Sequence, residues 1–209
     1  MKLKKSKEIM PKSCGGWFVC ILAILLLLIV SFLSIRYILL PKEEKLYRKG
    51  MSQLNNVTLI YERKFAALEY FNEALEINPD YWIVYRERSQ IYLSLARYDD
   101  AISDLTRAIE LNPSSSKSYY YRGNIYFELE EYEKAIEDYG KAISVYPKSG
   151  SYYNARGDAY RKLDNIEKAK ADYYKGCKLK EGSACGSLKL IILNEKKGKI
   201  ENQKKVVIF

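Results

Sequence analysis

The sequence predicts an all-α chain: a stack of helical hairpins closed by a C-terminal capping helix and preceded by one membrane-crossing helix. Three observations carry this prediction. Pro79, Pro113 and Pro147 recur at a constant interval of 34 residues. Each proline follows two alanines at fixed distances: Ala67 and Ala74, Ala101 and Ala108, Ala135 and Ala142. No charged residue occurs between Gly15 and Ile35.

Composition sets the bounds. With 209 residues, 48% hydrophobic and 29% charged, the chain has room for one folded domain plus an anchor. It has no histidine, which removes the commonest general base and metal ligand together. The net charge of +9 is unevenly placed: residues 1–42 carry +6, residues 183–209 carry +4, and the stretch between carries −1. A nucleic-acid binder concentrates positive charge on its folded body to displace phosphate counterions, so no nucleic-acid partner is expected. No Gly-rich phosphate loop, nucleophile elbow or zinc-ligand spacing occurs. The chain is therefore expected to be no enzyme, with no cofactor, no metal and no small-molecule substrate.

Residues 1–14 form a basic head, and residues 15–40 read as a transmembrane helix. Twenty-one uncharged residues at about 1.5 Å each span roughly 30 Å, the thickness of a bilayer's hydrocarbon core. Trp17 and Tyr37 stand at the ends, where amphipathic rings favour the headgroup layer, and Pro41 marks the stop. The apolar run exceeds a cleaved signal, and Ser31-Phe32-Leu33-Ser34 puts a bulky residue where cleavage needs a small one. Lys2, Lys4, Lys5, Lys7 and Lys12 are matched in number by Arg36, Lys42, Lys45, Arg48 and Lys49. The short Lys-rich head still suits a signal-anchor in a single-pass membrane protein with its N-terminus cytoplasmic.

The following residues fall into four copies: an irregular one at 43–81, then 82–115, 116–149 and 150–183. Each reads as two amphipathic helices joined near Arg97-Tyr98, Glu131-Tyr132 or Asp164-Asn165. Where helices cross closely only small residues fit, so Ser89, Gly123 and Gly157 are expected to face Ala101, Ala135 and Ala169. Phe71, Leu105 and Tyr139 fall between the paired alanines as knobs. Proline ends each second helix, because it lacks an N–H and restricts its predecessor. In the first copy Gly50 lies about five residues too early, so Asn55-Asn56-Val57-Thr58 reads as an expanded turn. In the fourth, Gly176 and Glu181 stand where Ala and Pro are expected. Overpacking at Ala135 by tryptophan is expected to destabilise, whereas the same change at Ser115, read as a turn residue, is expected to do little.

A repeat stack exposes apolar surface at its end. Residues 184–195, with Leu188, Leu190, Ile191 and Ile192, supply a capping helix for which Ser183 is the expected N-cap. Residues 196–209 read as a basic, flexible tail. Its apolar ending, Val206 to Phe209, is open to three readings: a recognition peptide, packing on the cap, or disorder.

Residues 43–183 resemble the tetratricopeptide repeat, a family defined by this period and by these alanines, aromatics and prolines. The resemblance implies a right-handed superhelix whose concave surface, lined mainly by the first helix of each pair, grips a peptide or a partner's helix. Here that lining comprises Arg86, Glu87 and Gln90, then Lys117, Tyr120, Tyr121, Asn124 and Glu128, then Asn154, Asp158 and Arg161. The same residues are equally readable as solvated helix faces. If Tyr120 and Tyr121 line the groove, alanine at both is expected to weaken binding at little cost in stability. Members that hold a chaperone's C-terminal carboxylate use a Lys/Asn/Arg clamp. The corresponding positions are Arg86 and Gln90, Tyr121, then Ser151 and Ala155, and only the first pair is chemically similar, so that clamp is not expected.

The function implied is a membrane-anchored, non-catalytic scaffold or adaptor whose partner is another protein or peptide, held at a lipid bilayer by residues 15–40. Alternatives are a mitochondrial outer-membrane import receptor with cytosolic repeats, or a non-catalytic subunit of a membrane enzyme complex. Cys177 and Cys185 lack a second pair for metal binding, and in an exported domain they can form a disulfide if the capping helix allows it.

Overall fold

The computed structural model describes residues 40–54 and 60–206. Its helices are α1 (Lys42–Leu54), α2 (Ile60–Ile77), α3 (Trp82–Ser94), α4 (Tyr98–Leu111), α5 (Ser116–Glu128), α6 (Tyr132–Val145), α7 (Gly150–Lys162), α8 (Ile166–Lys178) and α9 (Gly182–Val206). Each packs on its sequence neighbours, and α5 also touches α7, forming an all-α solenoid of helical hairpins. The basic head, residues 15–39 of the expected membrane span, the expanded turn at Asn55–Thr58 and the last residues of the apolar ending lie outside the described residues. Among the described residues no helix is long and apolar enough to cross a membrane.

The two kinds of connection have different chemistry. Between hairpins, Asn78 and Asn112 close the turn around the proline: Asn78 Oδ1 accepts from the N–H of Asp80, and Asn112 Oδ1 from that of Ser114. Within hairpins, the first helix ends on a leucine followed by a residue with positive φ: Ala96 (56°), Glu130 (60°) and Asp164 (55°). At each, paired backbone bonds such as Glu131 N–H to Tyr126 O and Glu130 N–H to Phe127 O satisfy the last carbonyls, a Schellman termination.

The fourth copy departs from proline termination because it uses this second turn instead. Leu179 ends α8, Lys180 has φ 67°, and the N–H of Glu181 bonds to Gly176 O. The C-terminal element differs from the expectation in two ways. Glu181, not Ser183, caps α9: its carbonyl accepts from the N–H of Cys185, and its carboxylate from Ser183 Oγ at 2.9 Å. The helix also does not stop at 195, and the expected flexible tail is helical to Val206. The residues there are Lys, Glu, Gln and Asn apart from Gly198, Ile200 and Val206, without proline, and most are good helix formers.

All eleven small and aromatic positions assigned to packing are buried: Ala67, Phe71, Ala74, Ser89, Ala101, Ala108, Gly123, Ala135, Ala142, Gly157 and Ala169. The glycines, however, lie under aromatic rings rather than simply opposite alanines. A Cβ on Gly123 would stand 2.8 Å from Tyr139 Cε1, and one on Gly157 2.8 Å from Tyr173 Cε1. In the second copy the ring is replaced by Leu105, and there the small residue is Ser89. Ser115, expected to tolerate tryptophan, is only 6% exposed and shares a hydrogen bond of 2.7 Å with Ser118, so it is no neutral position.

Candidate functional site: the concave groove

A ladder of buried ion pairs fixes the hairpins that shape the groove. Arg88 pairs with Asp104, Arg122 with Asp138 and Arg156 with Asp172, each through two bonds of 2.7–2.8 Å. Two of these arginines also reach the preceding hairpin: Arg88 Nη1 donates to Asn72 Oδ1 at 2.6 Å, and Arg122 Nη1 to Thr106 Oγ1 at 3.0 Å. Arg88 and Arg122 therefore each tie their own second helix to the one before. The hydrogen bonds that Arg122 and Arg156 donate to Asp138 and Asp172 push their pKa above the usual arginine value. The sequence reading missed this ladder, although both residue types recur at the repeat interval.

The groove floor is aromatic. The Tyr139 hydroxyl donates to Asn124 Oδ1 at 2.9 Å, and the Tyr173 hydroxyl to Asp158 Oδ1 at 2.7 Å. Burial, then the bond to Asp158, pushes the Tyr173 phenol up to about 12. Burial drives the Tyr139 phenol up as well, followed by Tyr120 and Asp158. Asp158 also accepts from Asn154 Nδ2 at 3.1 Å, and Arg161 Nε donates to the Tyr173 hydroxyl at 3.3 Å. Four of the expected lining residues, Asn124, Asn154, Asp158 and Arg161, are thus bonded to the floor or to one another.

Two adjoining recesses occupy the concave face. The first, about 350 Å³, is lined by Tyr120, Asn124, Phe127, Tyr139, Ser151, Asn154, Ala155, Asp158, Glu181 and Ser183. The second, about 380 Å³, shares Asn124, Phe127 and Tyr139 and adds Leu93, Tyr98 and Glu128. The structure therefore brings Tyr120, Asn124, Glu128, Asn154 and Asp158 together. Arg86, Glu87, Gln90, Lys117, Tyr121 and Arg161 do not line these recesses. Arg86 and Glu87 pair with each other at 2.5 Å, and Gln90 Nε2 donates to Ser89 Oγ at 3.4 Å. Tyr121 is half-buried, its phenol raised by burial and then by the Glu87 charge.

Tyr120 is part of the framework as much as of the surface. Its ring centroid lies 4.9 Å from that of Tyr152 and 5.9 Å from that of Tyr139. Removing it costs aromatic packing, so the expectation that alanine here spares stability does not hold. Glu181 and Ser183 were not expected at the site. Glu181 reaches it through the turn before α9, where Ser151 Oγ donates to its Oε2 at 2.9 Å. The hydrogen bonds from Ser151 and then Ser183 hold its carboxyl below the usual carboxylate range. Both recesses contain carboxylates, Glu128, Asp158 and Glu181, and neither is lined by a lysine or an arginine. Among the described residues no group of three or more His, Cys, Asp or Glu side chains could hold a metal ion.

Known proteins agree with this architecture. Models of the tetratricopeptide repeat match residues 116–149 and 150–183, and a TPR repeat model matches residues 90–129. A crystal structure of MamA is 25% identical, covers 68% of this chain and 80% of its own, and superposes with a TM-score of 0.61. The first TPR of Spaghetti (RPAP3), bound to the HSP90 peptide SRMEEVD, is 26% identical over 55% of this chain and 93% of its own, with a TM-score of 0.52. The Arabidopsis OM64 TPR domain shares the fold at 22% identity, a TM-score of 0.53, and coverage of 57% of this chain and 95% of its own. No curated protein sequence matches the chain.

Proposed function

We propose that the tetratricopeptide repeats of this chain form a non-catalytic docking groove for an extended peptide segment of another protein, and that the segment carries a lysine or arginine. The observation that carries this reading is the charge of the concave face: Glu128, Asp158 and Glu181 line its recesses, no lysine or arginine is among the lining residues, and of the three Asp158 has a cation nearby, Arg161 at 3.7 Å. The aromatic floor of Tyr120, Phe127 and Tyr139 suits the alkyl stem of a basic side chain, and the carboxylates suit its charged end. Asn154 supports the same reading, since its Oδ1 is buried with no hydrogen-bond partner among the described residues and can accept a peptide N–H after a small side-chain shift.

The solved Spaghetti domain holds a peptide ending in EEVD, whose charges are negative. The positions corresponding to a carboxylate clamp here are Arg86, Gln90, Tyr121, Ser151 and Ala155, too few of them cationic for such a ligand. A similar scaffold with opposite lining charge selects opposite ligand charge.

The uncharged stretch within 15–40 supports display of this groove from a membrane, where confinement raises effective concentration and makes a weak groove useful. The Lys-rich head supports a cytoplasmic N-terminus, and the Cys177–Cys185 bridge suits repeats on the opposite, oxidising side. Protease accessibility of the C-terminus in sealed vesicles checks this orientation.

The direct test of the groove is fluorescence polarisation with the full chain in detergent and matched peptides differing only in Lys or Glu. The expected result is preferential binding of the lysine peptide, weakened by Glu181→Gln and by high salt. Equal binding of both peptides contradicts the reading.

A further inference from the structure

The disulfide between Cys177 and Cys185 encloses the turn that builds one wall of the groove. Cys177 lies in the last turn of α8 and Cys185 in the first turn of α9, with Cα atoms 4.7 Å apart, within the usual span of such a bridge. Between them stand Glu181 and Ser183, two of the residues lining the first recess. Glu181 joins the turn to the opposite wall by accepting from Ser151 Oγ at 2.9 Å, and it also accepts from Ser183 Oγ at 2.9 Å.

The turn is otherwise held by backbone bonds, Glu181 N–H to Gly176 O and Lys180 N–H to Cys177 O, and by the packing of Ala184. Lys180 occupies the left-handed region at φ 67°, costly for a residue with a side chain. The apolar interface of α9 is short: Ala184 and Ile191 are its buried residues, and residues 192–197 are all exposed. The close fit of Gly176, whose Cβ would stand 2.9 Å from Ala184 Cβ and 3.0 Å from Gly150 O, demands an accurate position of α9.

We propose that the thiol state of Cys177 and Cys185 regulates ligand binding in the groove, with the bridge holding Glu181 and Ser183 against Ser151 and its reduction releasing them. The regulation rests on the groove being a peptide site. Reduction is an exchange with a dithiol: the bridge takes up two electrons and two protons to give two thiols, and the dithiol becomes a disulfide. Both cysteines are partly exposed, so an exchanging thiolate has access.

The test uses the full chain in detergent in three forms: oxidised, reduced with dithiothreitol, and doubly substituted Cys177→Ser/Cys185→Ser. Amide hydrogen exchange reads the wall, and polarisation of a fluorescein-labelled tetralysine peptide reads the groove. Reduction is expected to speed exchange at residues 181–185 by roughly tenfold or more, leaving α4 unchanged, and to weaken peptide binding several-fold. The double variant is expected to match the reduced form and to ignore dithiothreitol. Unchanged exchange at 181–185 overturns the proposal, as does faster exchange with unchanged affinity. Faster exchange with no peptide bound in any form instead identifies the failure as that of the peptide reading, and the regulation of binding falls with it.

Discussion

Gly50 lies beneath the ring of Phe71 as Gly123 lies beneath that of Tyr139: a Cβ on Gly50 would stand 2.7 Å from Phe71 Cδ1, and one on Gly123 2.8 Å from Tyr139 Cε1. The partners are 21 residues apart in the first copy (71 − 50) and 16 in the third (139 − 123). The irregular first copy thus makes the regular contact: α2 starts eleven residues before its ring (71 − 60) where α6 starts seven before (139 − 132), so most of the extra length lies in the helix. Three of the hairpins share this glycine–ring contact, with Gly157 under Tyr173 the third, whatever their loop length.

Gly123→Ala is expected to destabilise the chain by about 1–3 kcal/mol through overpacking against Tyr139, outweighing alanine's helix propensity. Gly140→Ala is the control, since its Cβ would meet only Arg156 Nη1 at 3.7 Å, and is expected to stabilise by up to about 1 kcal/mol. Adding Tyr139→Leu to Gly123→Ala should recover part of the loss, because the second copy already pairs Ser89 with Leu105. Urea denaturation of the three variants checks the order.

Asp138→Ala leaves the Arg122 guanidinium without its partner at a site where the aspartate side chain is 5% exposed. The expected loss is about 3–5 kcal/mol. Replacing both partners by apolar residues of similar volume is expected to cost much less, and a double-mutant cycle in urea measures the difference.

How much of this was legible follows from what each residue's job leaves in the sequence. Side-chain volume must recur wherever helices touch, so Ala101, Ala135 and Ala169, with Gly123 and Gly157, declared the stack on their own. The ion-pair ladder was harder to see because Arg122 and Asp138 sit on otherwise polar faces, where half-buried charges look like solvated ones. Their signal was the 34-residue recurrence of both residue types, 16 positions apart (138 − 122). The wall built by Glu181 was hidden because proline was expected there. Its signal was Leu179-Lys180-Glu181, which repeats the Leu129-Glu130-Glu131 pattern of a turn within a hairpin. Tyr120 read as a surface residue because periodicity gives the face of a helix and not what leans over it from Tyr152.

Glu130→Gly is expected to stabilise by up to about 1 kcal/mol, because φ 60° costs an L-residue roughly that much and glycine almost nothing. Glu133→Gly, in the first turn of α6, is expected to destabilise by up to a similar amount. Thermal melting of both variants checks the contrast, and a loss at both positions contradicts the turn assignment.

Alkaline pH is expected to unfold the protein through its buried phenols. The Tyr173 phenol rises from its ordinary 10.0 to about 12, so the folded state holds that proton more tightly than the unfolded chain. Its contribution is present in full below pH 10.0 and is lost as pH climbs through about 12. Tyr173→Phe should flatten the fall in urea midpoint between these limits, while lowering stability at neutral pH by loss of the bond to Asp158.

That a partner docks on the concave face is tested by site-specific photo-cross-linking in the full chain. A benzophenone side chain is placed at Ala155, which lines the first recess, or at Lys141, exposed on α6. The account predicts an adduct with a partner polypeptide from Ala155 that a lysine-rich peptide competes away, and none from Lys141. Adducts from Lys141 alone, or from both positions without competition, would contradict it.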